Sequence, residues 1–406
     1  MRKIAIVGAG QAGLQLALGL QKHGYEVTLL SNRTANEIRA GKVTSSQIMF
    51  DRAMQTERDL GIDLWQEQTP QVTKLGITVG SPIVRSMRII DWSAEFERPA
   101  QSVDQRVKAS GWMELFVSRG GQLRILDAGL SDLEDLGRTH DLVIVAAGKG
   151  DIVKHFERDA SRSAFEKPQR ILGLFYVNGM VEHADTGRGC VEVAPAVGEY
   201  VTFPALTTSG PCDIMLFEGI PGRPMDCWND IRSPEEYLTV AKGLLKEFFP
   251  WQFDRCQNIQ LTDNNGAIAG RVTPTVRKGV ATLPSGLPVL GIGDVVVVND
   301  PLSGQGANSA ALSADLYMKK IIEHGAGAFD IDWMNRTFEQ FWAYARYVAD
   351  FTETLLTGPQ VLATSLLNAR NDRTLAKAFA VGFNDPRTLA PWLIDEASVP
   401  VHPGTL

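Results

Sequence analysis

The first thirty residues constrain the fold more than any other part of the chain. Residues 3–7, KIAIV, are an apolar run of strand length. GAGQAG follows at 8–13, then a helical pattern over 14–22 with Leu14, Leu16, Ala17 and Leu20 on its apolar side. Residues 26–30 read as a second strand. Strand, glycine turn, helix and strand make a βαβ unit, which requires a parallel sheet. Gly8 permits the tight bend, Gly10 lets the backbone approach a pyrophosphate, and Gly13 lets the helix pack close to the strand. A pyrophosphate would sit on the helix start, where free N–H groups and the helix dipole favour an anion. Gly8, Ala9, Gly10, Gln11, Ala12 and Gly13 are therefore candidate dinucleotide contacts.

An NAD enzyme is expected to place Asp or Glu at the end of the second strand, against the adenosine ribose. Here that position reads Ser31-Asn32-Arg33. Arg33 could neutralise a 2′-phosphate, so this motif alone leaves an NADP dehydrogenase open. The stretch 291–310, GIGDVVVVNDPLSGQGANSA, argues for a flavin instead. A short strand ends in Gly293-Asp294. Pro301, Gly304, Gly306, Ala307 and Asn308 then open a helix of small residues. Asp294 can accept hydrogen bonds from ribityl hydroxyls. A nest of N–H groups at 304–308 would favour negative charge on a reduced isoalloxazine. A nicotinamide enzyme does not need this second grip, whereas a flavin enzyme does. The expectation is FAD, loosely held at Ser31, Asn32 and Arg33, with FADH₂ bound more tightly than FAD. Residues 141–148, DLVIVAAG, read as a further parallel strand whose Gly148 end abuts the cofactor.

The rest of the chain reads as an α/β protein with an interleaved second domain. Residues 75–95 and 171–220 are strand-rich, and 234–248 are helical. A long amphipathic helix over 330–356 carries Trp333, Phe338, Phe341, Trp342, Ala345, Val348 and Phe351, a stripe read as core packing. Further helices run to about 394, followed by a loose tail at 399–406. The expected FAD-binding domain is discontinuous, at 1–45, 102–165 and 285–325. A mixed-sheet substrate domain takes 46–101 and 166–284, and a helical region takes 326–406.

A formal charge of −7 without a basic tract argues against nucleic acid as a partner. No run of about 18 apolar residues predicts a membrane span. The start is too short in apolar residues for a signal peptide. Cys190, Cys212, Cys227 and Cys256 show neither CxxC nor metal-ligand spacing, so free thiols, no metal and a cytoplasmic location are expected. None of the six histidines lies in a catalytic motif.

Four segments together resemble a known family: IAIVGAGQAGLQLAL at the start, SVDQRV at 102–107, AFEKPQR at 164–170 and DPLSGQGAN at 300–308. They are similar to the epoxidase component of two-component styrene and indole monooxygenases, the group E flavoprotein monooxygenases. The resemblance covers nearly the whole chain. It implies a Rossmann-like FAD domain of the glutathione-reductase and p-hydroxybenzoate-hydroxylase type. It also implies FADH₂ delivered by a separate NADH-dependent flavin reductase, O₂ as co-substrate and a flavin C4a-hydroperoxide. The reaction would epoxidise indole at C2–C3 toward indigo, with styrenes and aryl sulfides as further substrates. A homodimer is compatible with it. No acid–base residue is required. Pro301 and Asn308 are expected at the flavin face. Arg106 is expected at the flavin phosphate or ribityl chain, the alternative being a surface pair with Asp104. Lys42 lies where the family carries Arg beside the flavin loop.

Ser45, Gln47 and Met49, then Val72, Leu75 and Ala100, resemble the pocket of the indole branch, with Leu75 as a variation. Indole has one N–H donor on a flat apolar body. Ser45 or Gln47 could accept it while Met49, Val72 and Leu75 give apolar contact. The alternative is that Ser45 and Gln47 satisfy local backbone groups. Styrene monooxygenase proper, a single-component NAD(P)H-dependent aromatic hydroxylase and a flavin reductase without oxygenase activity stay open at this stage.

Overall fold

Residues 2–148, 150–229, 231 and 233–394 are described by a computed structural model. The chain opens with β1 (Lys3–Val7), α1 (Gln11–Lys22) and β2 (Glu26–Ser31), the expected βαβ unit. It continues through α2 (Ala35–Arg39), α3 (Asp51–Leu60), β3 (Gln71–Gly80), β4 (Arg88–Gln101), α4 (Gln105–Ser118), β5 (Gln122–Ile125), α5 (Leu130–Thr139) and β6 (Leu142–Val145). Four longer strands follow, β7 (Ile171–Asn178), β8 (Arg188–Ala194), β9 (Gly198–Thr207) and β10 (Gly210–Gly219). After α6 (Pro234–Phe248) and α7 (Pro250–Phe253) come β11 (Gln260–Leu261), β12 (Ala267–Arg271), β13 (Thr275–Val276), β14 (Val280–Thr282), β15 (Pro288–Gly291) and β16 (Val297–Val298). Four α-helices follow, α8 (Gly306–His324), α9 (Ile331–Thr357), α10 (Gln360–Ala369) and α11 (Arg373–Asn384), and a 3₁₀ turn (Pro386–Thr388) and a π-helical turn (Ala390–Ile394) end the described chain. The tail expected to be loose at 399–406 lies outside the described residues.

The first sheet has the order β14-β15-β6-β1-β2-β5 and is parallel except at β14–β15. Its central strands read KIAIV and LVIV because both faces are covered. Ile4, Ala5, Ile6 and Ile144 are wholly buried, which excludes the alternation of a one-sided sheet. The expected domain border at 284–285 is corrected here. β14 at 280–282 extends this first sheet, since Val280–Thr282 pairs with the strand that feeds the Gly-Asp turn.

The second sheet has the order β11-β7-β10-β9-β8-β3-β4, with β12 also on β7. Its pairs are antiparallel except β3–β8. Alternation along β10 divides its residues between two cores. Met215 and Phe217 pack with Trp228 and the α6 residues Leu245 and Phe248. Ile214 and Leu216 face the other way, toward Phe379 and Phe383 of α11. α6 begins as expected, because Ser233 caps Glu236 N–H and Pro234 takes the first turn. On α9, Trp333, Phe338, Phe341 and Ala345 belong to the core of the first sheet, and Phe351 to the core beneath the second. No helix among the described residues is long and apolar enough to cross a membrane.

Candidate flavin and substrate site

α1 starts with Gly10 as its N-cap, and no side chain among the described residues caps it. Its first N–H groups are therefore available to an anion. The three glycines serve different ends. Gly8 has φ +119°, and a Cβ there would lie 2.6 Å from the Ala146 carbonyl carbon. A Cβ on Gly13 would lie 2.0 Å from Gly8 O. At Gly10 nothing stands within 4 Å of the Cβ position, so this side of the turn is open. Gln11 needs a correction as a pyrophosphate contact. Its Nε2 donates to Gln15 Oε1 at 3.0 Å and Glu57 Oε1 at 2.9 Å, leaving only its backbone N–H for an anion. Glu57 in turn holds the buried Lys108 ammonium at 2.7 Å.

The second glycine region closes on the first. Gly293 has φ +60°, and its Cβ position is 3.1 Å from Ala12 Cβ. A Cβ on Gly148 would lie 2.6 Å from Asp294 Cβ, so the end of β6 and the exposed Asp294 share one spot. Gln15 Nε2 also donates to Ala311 O at 3.1 Å, which binds α1 to α8. α8, like α1, begins without a side-chain cap, and the Cβ position of Gly306 is open. Near this start the buried atoms Asn299 Nδ2, Gln305 Oε1 and Ser309 Oγ have no hydrogen-bond partner among the described residues. Two open helix starts, a carboxylate between them and unmatched polar atoms fit a dinucleotide flavin. α1 would hold the pyrophosphate, Asp294 the ribityl hydroxyls, and residues 304–307 the isoalloxazine.

Three further assignments change. Asn308 was expected at the flavin face, but its side chain is fully engaged elsewhere. It accepts from Phe50 N–H at 2.8 Å and donates to Ile48 O at 2.9 Å and Gly304 O at 2.8 Å. It therefore fastens segment 48–50 to the glycine loop. Arg106, expected at the flavin phosphate or ribityl chain, does pair with Asp104, but in the interior rather than at the surface. Buried, it donates to Asp104 at 2.8 Å, Asp263 at 3.0 Å and Thr207 at 3.0 Å, and reaches Gly41 O at 3.4 Å. At the adenosine end Ser31 Oγ is turned onto its own chain, donating to Arg33 O at 2.7 Å. Asn32, Arg33 and Lys42 are exposed. The nearby acid Glu37 is engaged in a capping box, and its bonds with Thr34 hold its carboxyl below the ordinary value.

A cleft with about 500 Å³ of atom-free space, solvent mouth included, lies against the glycine loop. Pro301, Leu302 and Gly304 form one wall. Val72 and Leu75 face it, with Phe203 and Leu216 from the sheet and Phe383 from α11. Segment 45–50 enters with the opposite parity to the expected one. Ser46, Ile48 and Phe50 line the cleft, whereas Ser45, Gln47 and Met49 do not. Ser45 Oγ donates to Gln47 Oε1, Gln47 Nε2 donates to Val103 O, and Tyr176 OH donates to Ser45 O at 2.9 Å. Met49 lies beside Lys108. Ala100 is buried behind the lining, paired with Val72 across β3–β4. Alternation in an extended segment was visible in the sequence, but nothing local told which parity faces inward. The Asn308 bonds to both sides of residue 49, together with the Met49–Gln101 backbone pair, decide it.

The chain is similar to known proteins in sequence and in fold. Residues 148–255 match the family described as "Styrene monooxygenase A putative substrate binding domain". The chain is 27% identical over 395 residues to "Styrene monooxygenase StyA" of Pseudomonas fluorescens, covering 95% of this chain and 93% of that protein. The flavin-dependent brominase Bmp2 has a similar fold, with a TM-score of 0.69 and 13% identity over 97% of this chain and 94% of that one. So does 2-methyl-3-hydroxypyridine-5-carboxylic acid oxygenase, with a TM-score of 0.61 and 14% identity over 95% and 97%. Fold and site together define a flavin-dependent monooxygenase. Within that class the chain is similar to styrene monooxygenases over nearly its whole length, and over residues 148–255 to their substrate-binding domain.

Proposed function

We propose that this chain is the oxygenase of a two-component system. It takes FADH₂ from a separate NADH-dependent flavin reductase in the cytoplasm and epoxidises a flat aromatic alkene with O₂. Indole, at C2–C3, is the leading substrate, and styrenes and aryl sulfides are others. The observation that carries this reading is the apolar cleft walled on one side by Pro301, Leu302 and Gly304. When bound, the flavin supplies oxygen activation. The residues of the chain orient the alkene against the loop and keep water out. Ile48, Phe50, Phe203, Leu216 and Phe383 provide that apolar wall. The lining offers little acid–base chemistry. Lys74 is paired with Asp185 at 2.5 Å, and burial pushes the Cys190 thiol up to about 12. On this reading the FAD domain follows the first sheet and the substrate domain the second, with the border placed before β14.

Coexpression with any NADH-dependent flavin reductase on indole medium should give blue pigment. Colourless cultures containing folded protein would count against the proposal, as would rapid NADH oxidation by the protein alone with FAD.

Ser46 lines the cleft, and a hydroxyl there is suited to accept the indole N–H. Ser46→Ala should lower kcat/KM for indole by about fivefold, the value of one hydrogen bond, and barely change styrene epoxidation. Gln47→Val should lower both alike, because Gln47 supports the segment from behind. Styrene monooxygenase activity proper is the second reading, favoured by the absence of Ser45 and Gln47 from the lining. Equal losses for both substrates in Ser46→Ala would select it.

A further inference from the structure

Asp300 holds the start of the cleft-facing loop. Its Oδ1 accepts from Leu302 N–H at 3.2 Å and so caps the turn that presents Pro301 and Leu302. Its carboxyl lies beside that of Glu218 of β10, a residue on the same face of the strand as the cleft residue Leu216, two positions earlier. Glu218 is 0% exposed and Asp300 1%. Among the described residues, neither Glu218 oxygen nor Asp300 Oδ2 finds a donor. Two ionised carboxylates cannot bond one another, since both only accept. One proton between them satisfies both groups.

The surroundings offer no other remedy. Glu199 stands directly opposite Glu218 across β9–β10, but Arg170 holds it bidentately at 2.6 and 2.8 Å. Arg170, Glu199 and Asp300 are the charged groups that face Glu218, from the start of β7, from β9 and from the loop. One guanidinium thus serves three buried carboxyls. The geometry points to Glu218 as a protonated positioning residue, donating to Asp300 and so fixing the cap that sets Pro301 and Leu302 on the cleft. Burial first, then Asp300 and Glu199, push the Glu218 carboxyl well above its ordinary 4.5. The folded chain keeps a proton that the unfolded chain releases near that value. The contribution is full in acid and is lost as pH rises toward the folded value. The importance of the loop to flavin rests on the function proposed above, whereas the proton does not.

Infrared spectra of the ligand-free protein near neutral pH should show a protonated carboxyl band that Glu218→Gln removes. Amide exchange at Leu302–Gly304 supplies a second readout. Gln donates to Asp300 as the acid does, so Glu218→Gln should exchange within about twofold of the wild type. Glu218→Leu has no donor and should exchange about tenfold faster or more. With rising pH the wild-type loop should loosen as the band fades, and the Glu218→Gln loop should not. If Glu218→Leu does not fold, this contrast decides. A band that persists in Glu218→Gln overturns the proposal, as does equal exchange in all three proteins or a loop in Glu218→Gln as loose as in Glu218→Leu. Flavin titration adds a separate arm, with affinity lowered about tenfold in Glu218→Leu only. A wild-type protein that binds no flavin would sink the functional reading while the exchange result still judged Glu218.

Discussion

Gly10→Val should fold like the wild type and lose flavin binding by about 100-fold or more. Gly10 sits at φ −91° and ψ −168°, extended backbone that valine favours. Nothing lies within 4 Å of its Cβ position. The new Cβ therefore meets no protein atom, and the side chain extends into the space through which a pyrophosphate would reach α1. Gly8→Ala is the contrasting variant. At φ +119° its methyl would press within 2.6 Å of Ala146, and destabilisation of about 2–4 kcal/mol should follow. Thermal melting with a fluorescence titration of flavin separates the two effects. Wild-type affinity in Gly10→Val would remove the pyrophosphate from this turn.

Arg170→Met should destabilise the chain by about 3–5 kcal/mol, because it strands buried carboxyls without their cation. Arg170 makes two short bonds to Glu199 and lies beside Glu218 and Asp300. Arg138→Ala is the control, since its pair with Asp135 is exposed and should be worth about 0–1 kcal/mol. The Arg170→Met loss should depend on pH. Burial already raises Glu199, and removing Arg170 raises it further. The folded variant then binds more protons than its unfolded chain, so its stability falls as pH climbs above the ordinary carboxylate range. Urea unfolding in mild acid and in mild alkali measures this. A loss of equal size at both would show that charge burial is not its origin.

These two sites mark what could be read from the chain and what could not. The βαβ unit was legible because KIAIV, GAGQAG and the helical pattern at 14–22 are contiguous and each element's period agrees with the next. α6 was legible down to its first residue, since Ser233 and Pro234 are local signals. The parity of 45–50 was not, because Phe50 and Ile48 are turned inward by Asn308, far along the chain. Arg106 looked available because its partners Thr207 and Asp263 lie about a hundred and more residues away. The Glu218–Asp300 contact was hidden for the same reason. AFEKPQR and DPLSGQGAN were visible as motifs, but only the fold brings Arg170, Glu199, Glu218 and Asp300 to one place. Sequence patterns report local order, whereas buried charge networks are assembled across sheets.

α9 has a mechanical consequence. One unbroken helix carries Ala345 in the core of the first sheet and Phe351, less than two turns on, in the core beneath the second. It acts as a beam riveted at both ends. Swinging the two sheets apart would shear packed side chains or snap helical hydrogen bonds, so a hinge is a costly door. On the function proposed above, admission of a substrate would fall instead to the strip at 46–50, which Asn308 latches to the glycine loop while Gln47 and the Met49–Gln101 pair hold it from behind. Loosening that latch, with Asn308→Ala, should speed exchange of bound aromatics without changing the spacing between the two sheets.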